Sequence, residues 1–293
     1  MIKVSFSHVN EEKLVDFEAY KDKVKEIDDK IRNKTGAGND YLGWYDWPTS
    51  YDKDEVNRIQ IKAKEFIENY DTLVVCGIGG SYLGSNAVID AINGLYPTSK
   101  MKIVYLGNTL DPNYIHQVLE YLKNRNFAIC CISKSGTTTE TSISFRLLKT
   151  LLEEKVGIEK ARKAIVCVTD KEKGALKVLA NNEGYETYIL PDNIGGRYSV
   201  ITAVGLFPIA CAGIDIVEFL NGCAKAQKDY DAIINPVKEE PKTEPTTSVE
   251  SKKDTTPTQT DKKTTSVKTG DETNVVIFAS LSMVSGGLFL VLR

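Results

Sequence analysis

Five short apolar runs constrain what this chain can fold into: TLVVCGI (72–78), KIVYL (102–106), FAICCI (127–132), AIVCV (164–168) and TYIL (187–190). Each is bounded by turn residues, rich in β-branched side chains, and continuous rather than alternating. An edge-exposed or one-sided strand alternates apolar with polar. A continuous run is the pattern of a parallel strand buried on both faces. Between the runs, apolar residues recur at helical spacing. Residues 114–124 place Ile115, Val118, Leu119 and Leu122 on one stripe, and 140–155 place Ile143, Leu147, Leu148, Leu151 and Leu152. Residues 173–181 carry Leu176, Val178 and Leu179 after the turn TDKEKG. Strands alternating with helices predict an α/β fold, a doubly wound parallel five-stranded sheet with right-handed crossovers. Residues 11–32 and 54–69 read as amphipathic helices packed on it. The apolar stretch 201–220 reads as buried helices interrupted at Pro208 and Gly213.

The fold-like pattern ends near Ile234, which bounds a domain at 1–234. Residues 235–274 are dense in Thr, Lys, Glu, Pro and Ser and hold almost no large apolar side chain, the composition of a disordered linker. Then comes VVIFASLSMVSGGLFLVL (275–292), an uncharged run close to the shortest that spans a bilayer, followed by Arg293. It predicts one C-terminal transmembrane helix. The net charge of −3 gives no basic excess for nucleic acid. The six cysteines, Cys76, Cys130, Cys131, Cys167, Cys211 and Cys223, form no CxxC pair and sit mostly in apolar runs. They read as reduced core thiols, with no metal site expected. The first twenty residues lack the basic and apolar regions of a secretory signal.

Three polar turns follow strands. GIGGSYLG (77–84) comes directly after the first. Its glycines allow a backbone to approach a ligand, and a helix N-terminus beyond it offers free N–H groups. It fails as a dinucleotide fingerprint, because Tyr82 stands at the third glycine position. Alone, it reads first as a tight strand–helix turn. SKSGTTTET (133–141) supplies Ser133, Ser135, Thr137, Thr138 and Thr139 around Gly136. One hydroxyl suffices for a helix cap, and the surplus points to a polyanion such as phosphate, with Lys134 either beside it or turned to solvent. GGRYS (195–199) holds Arg197 behind two glycines in apolar surroundings, where a fixed guanidinium can stabilise an oxyanion. The first two turns end strands, and in an open parallel sheet ligands bind there.

GIGGSYLG, SKSGTTTET and DNIGGRYSVITAVGLFP, in this order and at these spacings, together resemble the glucose-6-phosphate isomerase family in its bacterial form. YLGWYDWPTSYDKDEVNRI (41–59) looks like the segment before that family's first motif. The resemblance covers about residues 1–231. It implies a sugar-isomerase (SIS) α/β sandwich, cytoplasmic homo-oligomers, and interconversion of glucose 6-phosphate and fructose 6-phosphate through a cis-enediolate without a cofactor. It implies that Gly80 and Ser81 line the substrate, that Ser133, Lys134, Ser135 and Thr138 hold the phosphate, and that Arg197 stabilises the enediolate. In the family the glutamate base, the ring-opening histidine and a late lysine lie downstream of GGRYS. The two histidines here, His8 and His116, do not match that histidine, and Glu140 matches a motif residue but not the base. The chain is therefore expected to be the N-terminal half of such an enzyme, binding a sugar phosphate and isomerising it poorly.

The tail resembles a different family. VKTGD (267–271), before the apolar run and an arginine, is similar to a Gram-positive sortase-type wall anchor, with Ser266 and Val267 in place of Leu-Pro. That resemblance implies cleavage between Thr269 and Gly270. The domain thus points to the cytoplasm and the tail to the membrane or the wall. The alternative to an isomerase half is a membrane- or wall-tethered sugar-phosphate-binding protein.

Overall fold

The computed structural model describes residues 8–9, 16, 18–94 and 96–235. The expected linker (235–274) beyond its first residue, the apolar run at 275–292, and Thr269 and Gly270 lie outside them. So do residues 11–15 and 17 of the expected first helix, whose described part is α1 (Lys21–Arg32).

The five apolar runs are strands: β1 (Thr72–Cys76), β2 (Lys102–Leu106), β3 (Phe127–Ile132), β4 (Ile165–Thr169) and β5 (Glu186–Ile189). All pair in parallel, in the order β2-β1-β3-β4-β5. The central strands β1, β3 and β4 are buried at every residue, which is why they carry no alternation. Cys76, Cys131 and Cys167 stand in register across them. All six cysteines are buried and free; burial pushes the thiols of Cys130, Cys167 and Cys211 up, and the hydrogen bond with Cys76, then burial, does the same for Cys131, leaving them unreactive.

Most helices form on an apolar stripe, and some also have a side-chain N-cap. The helix α2 (Gly43–Ser50) is followed by α3 (Lys53–Asn69), which buries Val56, Ile59, Ala63 and Phe66 at spacings of three and four. Its N-cap Asp52 accepts from Asp54 N at 2.9 Å and Glu55 N at 3.2 Å. After β1 comes α4 (Leu83–Asn93), and after β2 comes α5 (Pro112–Lys123), capped by Asp111 with Pro112 in its first turn. Then follow α6 (Thr139–Val156), α7 (Ile158–Lys163) and α8 (Ala175–Glu183). The last two are α9 (Ala203–Cys211) and α10 (Ile216–Ile234), the latter capped by Asp215.

Right-handed crossovers put α4 on one face of the sheet and α5 to α8 on the other. α9 packs against α4, α3 and α10, and Phe207 of α9 sits at 5.6 Å from both Phe66 and Tyr188. The expected break at Gly213 is present between α9 and α10. The expected break at Pro208 is not: α9 runs through it. Because α9 is short, the proline removes one backbone bond near the end of a helix whose every residue is buried. Packing outweighs that loss.

Candidate functional site

The strand order reverses direction between β1 and β3. Chains leaving the carboxyl ends of these two strands diverge and leave a crevice. GIGGSYLG leaves β1 and SKSGTTTET leaves β3, so both polar turns line the switch point.

The β3 turn is braced from inside. Ser133, buried, accepts from Gly136 N through Oγ at 3.0 Å. Ser135 Oγ accepts from Thr137 N at 3.1 Å and lies 2.8 Å from Thr137 Oγ1. Ser142 Oγ donates to Gly136 O at 3.0 Å, and Ala175 N donates to Ser135 O at 2.7 Å. Gly136 has φ +75°, and a Cβ there would collide with the backbone of Leu176. Only glycine fits that position. Thr138 is the N-cap residue of α6, yet its side chain makes no capping bond. The hydroxyl at the cap position is therefore not used for capping. The first α6 amides and the Thr138 and Thr139 hydroxyls remain without partners among the described residues, aligned with the positive end of an eighteen-residue helix.

Lys134 is partly exposed but has a partner. Its Nζ pairs with Asp192 Oδ1 at 2.6 Å, and its carbonyl accepts from Thr169 Oγ1 at 3.3 Å. Asp192 immediately precedes the arginine loop, so this pair joins the cradle to the third motif. Asp192 was missed by sequence reasoning, because nothing in PDNIGG marks one acid as facing a lysine 58 residues away.

The first and third motifs touch backbone to backbone. A Cβ on Gly80 would fall on the carbonyl of Gly196, so the glycine is needed for that approach. Ser199 Oγ donates to Gly196 O at 2.8 Å and lies 3.5 Å from Gly80 O. Ser81 follows in the same turn, its amide donating to Ile78 O at 3.2 Å. Arg197 is exposed and makes no ion pair or hydrogen bond among the described residues. An unpaired guanidinium therefore stands on a loop that is itself fixed.

The segment at residues 42–50 does much of the fixing. Leu42 bridges Ile194, and Gly43 N donates to Asn193 O at 2.9 Å. Trp44 stacks on Tyr198 with centroids 4.8 Å apart and planes 13° apart. Trp47 Nε1 donates to Ile201 O at 2.7 Å. The sequence signal was available in the density of aromatic residues in YLGWYDWP, but no spacing rule says what an aromatic cluster packs against.

The expected residues Gly80, Ser81, Ser133, Lys134, Ser135, Thr138 and Arg197 thus belong to one crevice region. His116 is exposed on α5, and His8 is exposed near the N-terminus; neither is part of it. Among the described residues no cluster of three or more His, Cys, Asp or Glu has a metal-binding arrangement, and no helix is long and apolar enough to cross a membrane.

Fold and crevice define an open-sheet α/β protein with two polar, hydroxyl- and glycine-rich turns at its switch point. The pattern of the family described as Phosphoglucose isomerase matches residues 58–239, and the chain belongs to that family. It is 50% identical over 231 residues to a glucose-6-phosphate isomerase of Mycoplasma capricolum subsp. capricolum, covering 78% of this chain and 53% of that protein. It is 52% identical over 211 residues to that of Staphylococcus aureus (strain Newman), covering 71% and 48%. The chain spans about half the length of the curated relatives it matches. Among solved structures, a hypothetical protein from Thermus thermophilus aligns with a TM-score of 0.64 at 30% identity, over 72% of this chain and 49% of that one. A glucose-6-phosphate isomerase from Chlamydia trachomatis aligns with a TM-score of 0.60 at 22% identity, over 76% and 48%, a likeness of fold.

Proposed function

We propose that the crevice holds a sugar phosphate, glucose 6-phosphate or fructose 6-phosphate, for the aldose–ketose isomerisation that gives the family its name. The observation that carries this reading is the convergence of an uncapped α6 N-terminus with a pinned, unpaired arginine. On this reading Ser133, Lys134, Ser135 and Thr138 take the phosphate, with α6 amides and dipole behind them. Lys134 exchanges Asp192 for phosphate as the ligand enters. Gly80 and Ser81 line the sugar chain. Arg197 faces the two carbons between which the proton moves and stabilises the enediolate oxygen.

Deprotonation next to the carbonyl needs a base within hydrogen-bond reach, and the reading assigns that step to none of the residues named here. In a coupled assay, production of glucose 6-phosphate from fructose 6-phosphate by the isolated chain is expected to be far below that of the family's full-length members. A comparable rate would mean that a base within this chain has been overlooked.

The tail supports an additional reading. The uncharged run at 275–292 follows a polar, Thr/Lys/Glu/Pro-rich segment, the arrangement of a domain tethered to a membrane, with Thr269–Gly270 as a sortase-like cleavage point. The cysteine-rich reduced core favours a cytoplasmic location for the domain, and the family favours homo-oligomers. The full chain is expected to co-sediment with phospholipid vesicles, whereas a chain ending at residue 274 stays in the supernatant. Equal partitioning of the two would remove the anchor.

A further inference from the structure

The described part of the chain contains both of the protein's tryptophans, Trp44 and Trp47. Both contact the loop that carries Arg197, from opposite ends. Trp44 meets Tyr198, the residue next to the arginine, face to face. Trp47 holds the carbonyl of Ile201, four residues beyond it, through its indole N–H. Upstream of the arginine, the backbones of Leu42 and Gly43 hold Ile194 and Asn193. One short helix thus contacts the loop on both sides of an arginine that has no partner of its own. Tyr45, on the same helix, lies 3.5 Å from Asp231 of α10 and under the guanidinium of Arg32 of α1. Gln227 of α10 donates to Tyr45 O at 2.8 Å. So α2 is itself held from behind by the first and last helices.

We propose that Trp44 and Trp47 are positioning residues that set the direction of Arg197 into the crevice. The inference rests on the reading of Arg197 as the cation that meets the enediolate. An exposed, unpaired arginine on an ordinary loop samples many directions, and each costs binding energy to restrict. A stacked neighbour and a held carbonyl remove most backbone freedom before the ligand arrives, which is how a fixed charge is made selective for the ligand's charge. The phosphate cradle lies on a different loop, tied to the arginine loop through the Lys134–Asp192 pair rather than through either tryptophan.

The experiment compares two ligands that share a phosphate. 6-Phosphogluconate carries a C1 carboxylate near where the enediolate charge develops, and glucitol 6-phosphate is neutral there. Binding to the full chain is followed by calorimetry and by tryptophan fluorescence. The wild-type chain is expected to prefer 6-phosphogluconate by roughly tenfold, the scale of one charge-assisted contact to arginine. Trp44→Ala should shrink this preference to under about twofold while leaving glucitol 6-phosphate within about twofold of wild type. Trp44→Phe, which keeps a stacking ring, should restore it. Trp47→Phe, which keeps an aromatic ring but removes the indole N–H that meets Ile201, gives an independent arm and should also reduce the preference, even if Trp44→Ala fails to fold. A preference that survives in Trp47→Phe and in every folded Trp44 variant overturns the proposal. So does a proportional loss of both ligands, the mark of a merely structural role. A wild-type chain that binds the two ligands equally overturns instead the role given to Arg197.

Discussion

At the scale of single residues, the site is governed by close approaches that only glycine permits. Gly80 and Gly195 separate two effects. A methyl group on Gly80 would collide with the Gly196 carbonyl, whereas one on Gly195, at φ −67°, meets nothing within 4 Å. Gly80→Ala is expected to cost about 1–3 kcal/mol of stability by forcing the two motifs apart. Gly195→Ala is expected to gain about 0.4–1 kcal/mol by restricting the unfolded chain. Thermal melts of the two variants beside wild type check both signs. Much of this was legible in the sequence. The hydroxyls of 133–139 and Arg197 stand out by residue type and context, and Gly80 by the family resemblance. What they do to one another was not legible. Lys134 against Asp192, and Gly80 against Gly196, are contacts across 58 and 116 residues, and residue types at such separations carry no spacing signal.

Among the elements, the five strands were readable because burial on both faces leaves continuous apolar runs, and the helices because their stripes repeat at 3.6 residues. The exceptions have physical causes. Pro208 was read as a break, but complete burial holds α9 together. Helix α2 has a proline inside it and little amphipathic pattern; it is held by side-chain contacts to the arginine loop and α10 rather than by a stripe. A second cross-element tie has a pH signature. Glu55 of α3 is nearly buried, and its Oε1 accepts from Ile189 N at 2.8 Å at the end of β5. Burial pushes its carboxyl above the usual 4.5, with Asp52 adding to this and the Ile189 N–H opposing it. A carboxyl raised in the folded state favours folding when protonated, so its contribution is present below the unfolded value and is lost as pH rises through the folded one. Glu55→Gln keeps the acceptor and removes the titration. Its urea midpoint, relative to wild type, is expected to increase as pH rises from 4.5 toward neutrality. A constant difference over that range would show that Glu55 does not titrate differently on folding.

As a whole molecule, the chain combines one α/β domain with a C-terminal segment of quite different composition, and it matches about half the length of its curated relatives. The domain is what carries the crevice, and every element around the crevice lies within residues 42–211. The family's reaction divides naturally into holding the phosphate, neutralising the enediolate and moving the proton. On the proposed reading, the residues gathered here serve the first two tasks. The central claim is therefore one of binding, and titration calorimetry of the full chain with fructose 6-phosphate tests it most directly. The account predicts saturable one-site binding that weakens roughly tenfold in Thr138→Ala, where a hydroxyl free to meet a charged ligand is removed. Absence of heat and of any thermal shift at millimolar ligand, or binding untouched by Thr138→Ala, would contradict it.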